Sequence, residues 1–197
     1  MRKKNREVRS PIEIRDIVAR CDVCRIALPT GGAPYIVPMN FGFEFFGGGI
    51  VGPDGQGSSD GQSNPEGGAA NDLEGGAANG PGDEAATKEK LTLWFHCAKE
   101  GRKLDIIAGG CEAGFEMDTD HELRPGEAAC DYSMNYASVV GSGHIAQVTD
   151  DDERLRGLKA IMKHYGGEGL PFNETDLSLT CVLRLNAAEY ACKRLKK

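Results

Sequence analysis

Between Gly47 and Glu89 the chain reads GGGIVGPDGQGSSDGQSNPEGGAANDLEGGAANGPGDEAATKE, and this tract constrains everything around it. It holds eight acidic residues, one basic residue, no aromatic residue and nearly half of the chain's 27 glycines. Ordering such a stretch would cost about 1–2 kcal/mol of backbone entropy per residue, and its few apolar side chains cannot offset that. A disordered acidic insertion is expected. The doubled EGGAAN, at Glu66–Asn71 and Glu74–Asn79, reads as low-complexity expansion rather than as a structural repeat. The flanks are different. YIVPMNFGFEFF before the tract and KLTLWFH after it are rich in aromatic and β-branched residues and read as strands. Without the tract they abut as a β-hairpin with a glycine turn. Loop-closure entropy grows only logarithmically with length, so a hairpin tip tolerates a long insertion. The expectation is one domain over residues 1–197, interrupted at about 47–89.

The tract also carries the charge. The chain has 23 basic and 30 acidic residues, a formal net charge of -7. The insertion accounts for all of it, leaving 22 of each sign elsewhere. That balance argues against a nucleic-acid partner, which calls for a basic face. No apolar run is long enough to span a bilayer. The opening MRKKNREVRS is polar, with no apolar segment after it to make a secretory signal. Seven cysteines are an odd number, and a cytoplasmic protein that keeps them reduced is expected.

The remaining elements follow from pattern. SPIEIRDIVARC predicts a helix with Ser10 as N-cap, Pro11 at its first position and Glu13 completing a capping box. Ile14, Ile17, Val18 and Cys21 then share one face. VCRIAL, PYIVPMNFGFEF and LTLWFH read as strands, the first two joined by the turn PTGGA. Leu104, Ile107 and Ala108 suit a short helix that Gly109 and Gly110 would end. CEAGFEMD, SVVGSGHIAQV and LTCVLRLNAAEY are further strands. DDDERLRGLKAIMKHYGG is a second amphipathic helix, with Leu155, Leu158, Met162 and Tyr165 facing inward and Gly166 as its stop. Antiparallel strands dominate, with helices at the connections, so a small barrel is expected.

One stretch carries chemistry. In LWFHCAKEGRKLD an apolar strand gives way to a turn and then to adjacent Arg102 and Lys103, with Lys99 close by. A turn entering a helix presents unpaired backbone N–H groups. Arg102 adds a planar fork for phosphate oxygens, and Lys103 a mobile point charge. A solvated charged turn would have the same composition. The other candidates are weaker. Cys21 and Cys24 have metal-like spacing, yet no second such pair exists and Cys21 fits the helix's apolar face. Around Asp118 and Asp120 an exposed strand face and a solvated loop explain the acids. GSGHIA lacks the spacing of a dinucleotide fingerprint. Tyr132, Met134 and Tyr136 suit an interface better than a pocket wall.

Four segments in this order, CRIALPTGGAPYIVPMNFGFEF, LTLWFHCAKEGRKLDII, AGFEMDTDHEL and CDYSMNYASVVGSG, resemble the flavin-binding split-barrel family around pyridoxamine 5'-phosphate oxidase. They are most similar to its nitroimidazole-resistance (NimA-type) branch. The resemblance implies a mainly β fold with flanking helices, a split, Greek-key antiparallel barrel of the FMN-binding type. It implies FMN as cofactor, with Val37, Pro38, Met39 and Asn40 along the flavin ring. It implies Cys97, Lys99, Arg102 and Lys103 at the phosphate, Phe95 and His96 as adjoining contacts, and Ser138 near the flavin. Cys97 stands where relatives usually carry Ser. His96 is the candidate proton donor to substrate or flavin. A homodimer with flavin at the subunit interface and a small nitroaromatic or quinone-like acceptor are implied as well. Pyridoxamine phosphate oxidase-like activity and a non-catalytic flavin or haem carrier are the alternatives.

Overall fold

A computed structural model describes residues 4–47 and 89–196 of the chain. The bulk of the tract expected to be disordered lies outside the described residues. Helix α1, Pro11–Arg20, starts as its sequence dictates: Pro11 sits in the first turn, and the Ser10 Oγ accepts from the Glu13 N–H at 3.4 Å. The reciprocal half of the capping box is not made. The Glu13 carboxylate instead accepts from Arg194 at 2.8 Å, because a charged donor outbids a neutral backbone N–H. Ile14, Ile17, Val18 and Cys21 are buried together.

Eight strands follow: β1 (Glu7–Val8), β2 (Cys24–Leu28), β3 (Tyr35–Met39), β4 (Phe41–Phe46), β5 (Lys90–Ala98), β6 (Cys111–Arg124), β7 (Ser133–Gln147) and β8 (Thr180–Leu195). They form one antiparallel sheet in the order β3-β2-β6-β7-β8-β5-β4, with β1 added along β8. Alternate side chains point to its inner face, among them Ile26, Leu93, Phe95, Phe115, Met117, Val139, Leu183 and Leu185, and these make the main core. Helix α2, Arg102–Ile107, adds Leu104, Ile106 and Ile107 to it.

The segment expected as one strand, PYIVPMNFGFEF, is two. Cys24 pairs with Met39 at one end of the sheet, and Phe41 pairs with Phe95 at the other. Asn40 alone connects them, so the chain crosses from one sheet edge to the opposite edge in a single residue. No ladder joins β3 to β4. The peptide chain spans the seam that hydrogen bonds leave open, which is the split of a split barrel. β4 and β5 pair antiparallel from Phe41↔Phe95 to Phe46↔Lys90, so the flanks of the tract do form a hairpin ladder.

Helix α3, Asp151–His164, is capped by Asp150, whose carboxylate accepts from the Glu153 N–H at 2.8 Å. Its buried face differs from the expected one. Gly157, Leu158 and Ile161 face inward, whereas Leu155 and Met162 are half-buried and Tyr165 is exposed. Gly157 sets this rotation: it packs against the Trp94 ring, so the helix can lie close on β5 only along that line. Leu158 and Ile161 then join Trp94, Val148 and Val182 in a second cluster on the outer face of the sheet. Two more segments depart from expectation. A short helix α4, Glu174–Leu179, precedes β8. β6 also runs to Arg124, where a solvated loop was expected. An irregularity between Thr119 and Glu122 has Asp120 at a φ of 58° holding Arg20, while Glu116 and Asp118 on the regular ladder before it hold Arg25.

Candidate functional site

β5 ends at Ala98, the chain turns through Lys99–Gly101, and α2 begins at Arg102. Gly101 has a φ of 122°, which a side chain would resist. Its carbonyl accepts from the N–H groups of Leu104 at 2.8 Å and Asp105 at 3.2 Å, fixing the turn. A helix of six residues has little dipole, so the charge here comes from side chains.

The Arg102 guanidinium lies over the Tyr35 ring, 4.8 Å from its centroid. Tyr35 is the first residue of β3. The two segments singled out in the sequence, 37–40 and 95–103, therefore converge: the cationic turn sits beside the start of a strand whose far edge carries no partner strand. The charges there are unmatched. Arg15, Arg20, Arg25, Arg156, Arg184 and Arg194 each hold a carboxylate. Lys99, Arg102 and Lys103 make no ion pair among the described residues, and Lys99 and Arg102 are exposed. Three cations in one turn that form no ion pair among the described residues, one held against an aromatic face, suit an external anion.

The strand period separates residues that adjoin in sequence. Phe95 and Cys97 point inward and His96 outward. Phe95 is fully buried in the core, so only its backbone is open to a ligand. His96 is exposed on the outer face, in register with Val182 and one step from Trp94, and it makes no hydrogen bond among the described residues. Along β3, Met39 is core and Val37 half-buried against it, while Pro38 and the junction residue Asn40 are exposed. Ser138 is not brought to this place. The Pro38 row runs through Arg25 and Glu116 to Val140, so Ser138 lies two residues from that row but three strands away from β3 across the sheet.

Sequence reasoning missed a cleft of about 1170 Å³, which lies elsewhere, between α1, β4, α3 and the loop after α3. Phe43 and Phe45 line it, with Arg15, Lys159, Lys163 and His164. His164 is wedged among Phe41, Phe43 and Tyr165 and bonds the Cys21 carbonyl at 2.8 Å, and burial pushes its pKa down. The only sequence signal for it was the phenylalanine alternation of FGFEFF, which reads equally as core. Cys21 and Cys24 are buried, and burial raises both thiols. Among the described residues no cluster of three His, Cys, Asp or Glu is placed to hold a metal ion, and no helix is long and apolar enough to cross a membrane.

The family model described as pyridoxamine 5'-phosphate oxidase matches residues 85–194, more than half of the chain. The chain belongs to that family. The match begins just before β5 and takes in the cationic turn, whereas residues 37–40 of β3 lie outside it. Among solved structures, the pyridoxamine 5'-phosphate oxidase fold seen here is similar to that of a candidate 5-nitroimidazole antibiotic resistance protein from Bacteroides thetaiotaomicron. That likeness has 20% identity and a TM-score of 0.62, covering 95% of this chain and 86% of that one. It is also similar to an FAD and haem binding protein from Mycobacterium smegmatis, at 15% identity and a TM-score of 0.65 over 98% of this chain and 74% of that one. A flavocytochrome from Azotobacter vinelandii shares 12% identity with a TM-score of 0.59, covering 99% and 75%. At these identities the likeness is one of fold. No curated protein matches the chain significantly.

Proposed function

We propose that the protein is an FMN-dependent oxidoreductase that reduces small nitroaromatic or quinone-like acceptors. The observation that carries this reading is the set of unmatched cations, Lys99, Arg102 and Lys103, held beside β3 by the Arg102–Tyr35 stack. In this reading Arg102, Lys99 and Lys103 would hold the phosphate, with Cys97 as a weaker donor than a hydroxyl. The backbone of Val37–Asn40, on the open edge of β3, orients the ring. FMN, when bound, supplies the two-electron chemistry. His96 gives a proton to a ligand that reaches the outer face of β5. Ser138, with β2 and β6 between it and β3, would serve a flavin site completed by a second copy. A homodimer is part of the proposal, supported by exposed Ile36, Leu123, Met134 and Val140 on strands of the same sheet. So is a cytoplasmic setting, which suits seven unbridged cysteines.

The test is discrimination between FMN and riboflavin. Charge-assisted hydrogen bonds are worth about 1.5–3 kcal/mol each, and exposure puts these at the low end. Replacing Arg102 and Lys103 together with Ala should weaken FMN binding about 100-fold while leaving riboflavin binding nearly unchanged. Equal affinity of the unaltered protein for the two would refute the phosphate assignment. A second reading, a flavin or haem carrier, draws support from fold relatives that bind FAD and haem or are flavocytochromes. A Soret band in the purified protein would favour it.

A further inference from the structure

Cys97 and Cys181 are direct partners across the β5–β8 ladder. The Cys97 thiol is close enough to raise that of Cys181 electrostatically, and the Cys181 S–H is directed at the Val182 carbonyl at 3.9 Å. Residues directly opposite in an antiparallel pair have Cα atoms about 4.5–5.5 Å apart, inside the range of about 4.4–6.8 Å that a disulfide spans. The two differ in access: Cys97 is half-buried at the end of β5, and Cys181 is buried at the start of β8. The start of β8 is itself held in place, because Arg154 donates to the Thr180 carbonyl at 3.0 Å. Burial pushes the Cys181 thiol up to about 11, while the positive charges of Arg154 and Lys103 pull the other way. The remaining five cysteines have no such arrangement. Cys21, Cys24 and Cys192 are buried, Cys111 sits opposite Ile145, and Cys130 is exposed beyond the end of β6.

We propose that Cys97 and Cys181 form a reversible thiol–disulfide site that is oxidised by low-molecular-weight disulfides. The Cys97 thiolate attacks one sulfur of the small disulfide, breaking its S–S bond, forming a mixed disulfide and releasing one thiolate. Cys181, deprotonated in turn, attacks the Cys97 Sγ and expels the second small thiolate. Two electrons pass from the protein dithiol to the small disulfide, and the two protons lost by the cysteines are taken up by the two released thiols. Closing the bridge ties together strand ends that meet only through backbone hydrogen bonds, two residues before the cationic turn. A disulfide reached from a half-exposed position belongs to the labile class that reducing thiols reopen. The proposal does not rest on the flavin reading, although a phosphate held beside Cys97 would shield it from the small disulfide.

The experiment incubates the full-length protein with oxidised glutathione, blocks remaining thiols and maps non-reduced peptides by mass spectrometry. The expected product is a Cys97–Cys181 linked peptide that disappears on treatment with dithiothreitol. Cys181→Ser, a near-isosteric change, should instead retain one glutathione on Cys97, because no second thiol remains to expel it. Modification confined to Cys130, or a stable glutathione adduct on Cys97 in the unaltered protein, would overturn the proposal. Should Cys181→Ser fold poorly, Cys97→Ser provides the second arm: it should leave Cys181 unmodified under the same conditions, and a glutathionylated Cys181 would count against Cys97 as the entry point.

Discussion

Gly42 and Gly157 both let α3 approach the sheet, and substituting each with Ala separates two kinds of obstacle. At Gly42 on β4 an added Cβ would stand 2.4 Å from the Ala160 carbonyl carbon and from the Ile161 nitrogen. Ordinary contact begins near 3.4 Å, so helix and strand must part by about 1 Å. Neither side can yield by rotating a side chain, because both are backbone. At Gly157 the nearest atoms are Trp94 Cε3 at 2.6 Å and Val182 Cγ1 at 3.0 Å, which are side-chain atoms. Overpacking costs about 1–3 kcal/mol, and a backbone obstacle sits at the upper end. Against this, Gly42→Ala gains about 0.4–1 kcal/mol through the unfolded chain. Gly157→Ala gains about 1 kcal/mol of helix propensity. The expected net losses are about 2 kcal/mol or more at Gly42 and about 0–2 kcal/mol at Gly157. Urea denaturation followed by Trp94 fluorescence measures both, with the slope unchanged and the midpoint lowered. The Gly42 variant should also melt about 4–8 °C lower. A Gly42→Ala protein within about 0.5 kcal/mol of the parent would refute the close packing of α3 on β4.

His96→Gln should keep FMN affinity while slowing single-turnover reoxidation of pre-reduced flavin by a nitroaromatic by about 10²–10⁴-fold; parental kinetics would make the residue structural. Burial holds the folded His164 below its ordinary value of 6.5, so the folded state takes up its proton at lower pH than the unfolded chain. Its contribution is thus complete above 6.5 and lost as pH falls through the folded pKa, and His164→Gln should flatten the decline in urea midpoint over that interval. Deleting residues 49–88, so that Gly48 meets Glu89, should preserve the melting temperature to within a few degrees. Glu89 must stay, since Arg15 binds its carboxylate at 2.7 and 2.8 Å; an unfolded deletion product would contradict the hairpin reading.

What the sequence made legible were local signals that tertiary packing reinforces. Ser10 and Pro11 could start a helix only where one starts, and Ile14, Ile17 and Val18 could bury only one face of it. The strands around the tract were legible because aromatic alternation and antiparallel pairing agree there. The break at Asn40 was not, since an alternating run looks the same whether it continues in one ladder or changes partners. The face of α3 was misjudged because one of its three buried residues is a glycine, Gly157, that no apolar pattern marks. In the candidate site the cationic turn was legible from charge and order. Tyr35 beneath Arg102 was not, being a contact between segments more than sixty residues apart. That His96 and Cys97 face opposite ways follows from the strand period, but which of them faces the core needed the ladder with β8.

The place of β8 has a consequence for biosynthesis. It lies between β7 and β5 and pairs with both, yet of all the strands it is the last to be translated. Until Thr180–Leu195 leaves the ribosome, β3-β2-β6-β7 and β4-β5 are two fragments with open edges. Helices α1 and α2 can cover part of the first fragment's inner face, but the two fragments cannot close against each other. Nascent chains that stall after α3 would therefore present two sticky edges at once, and chaperones that shield such edges should be found on them before release rather than after.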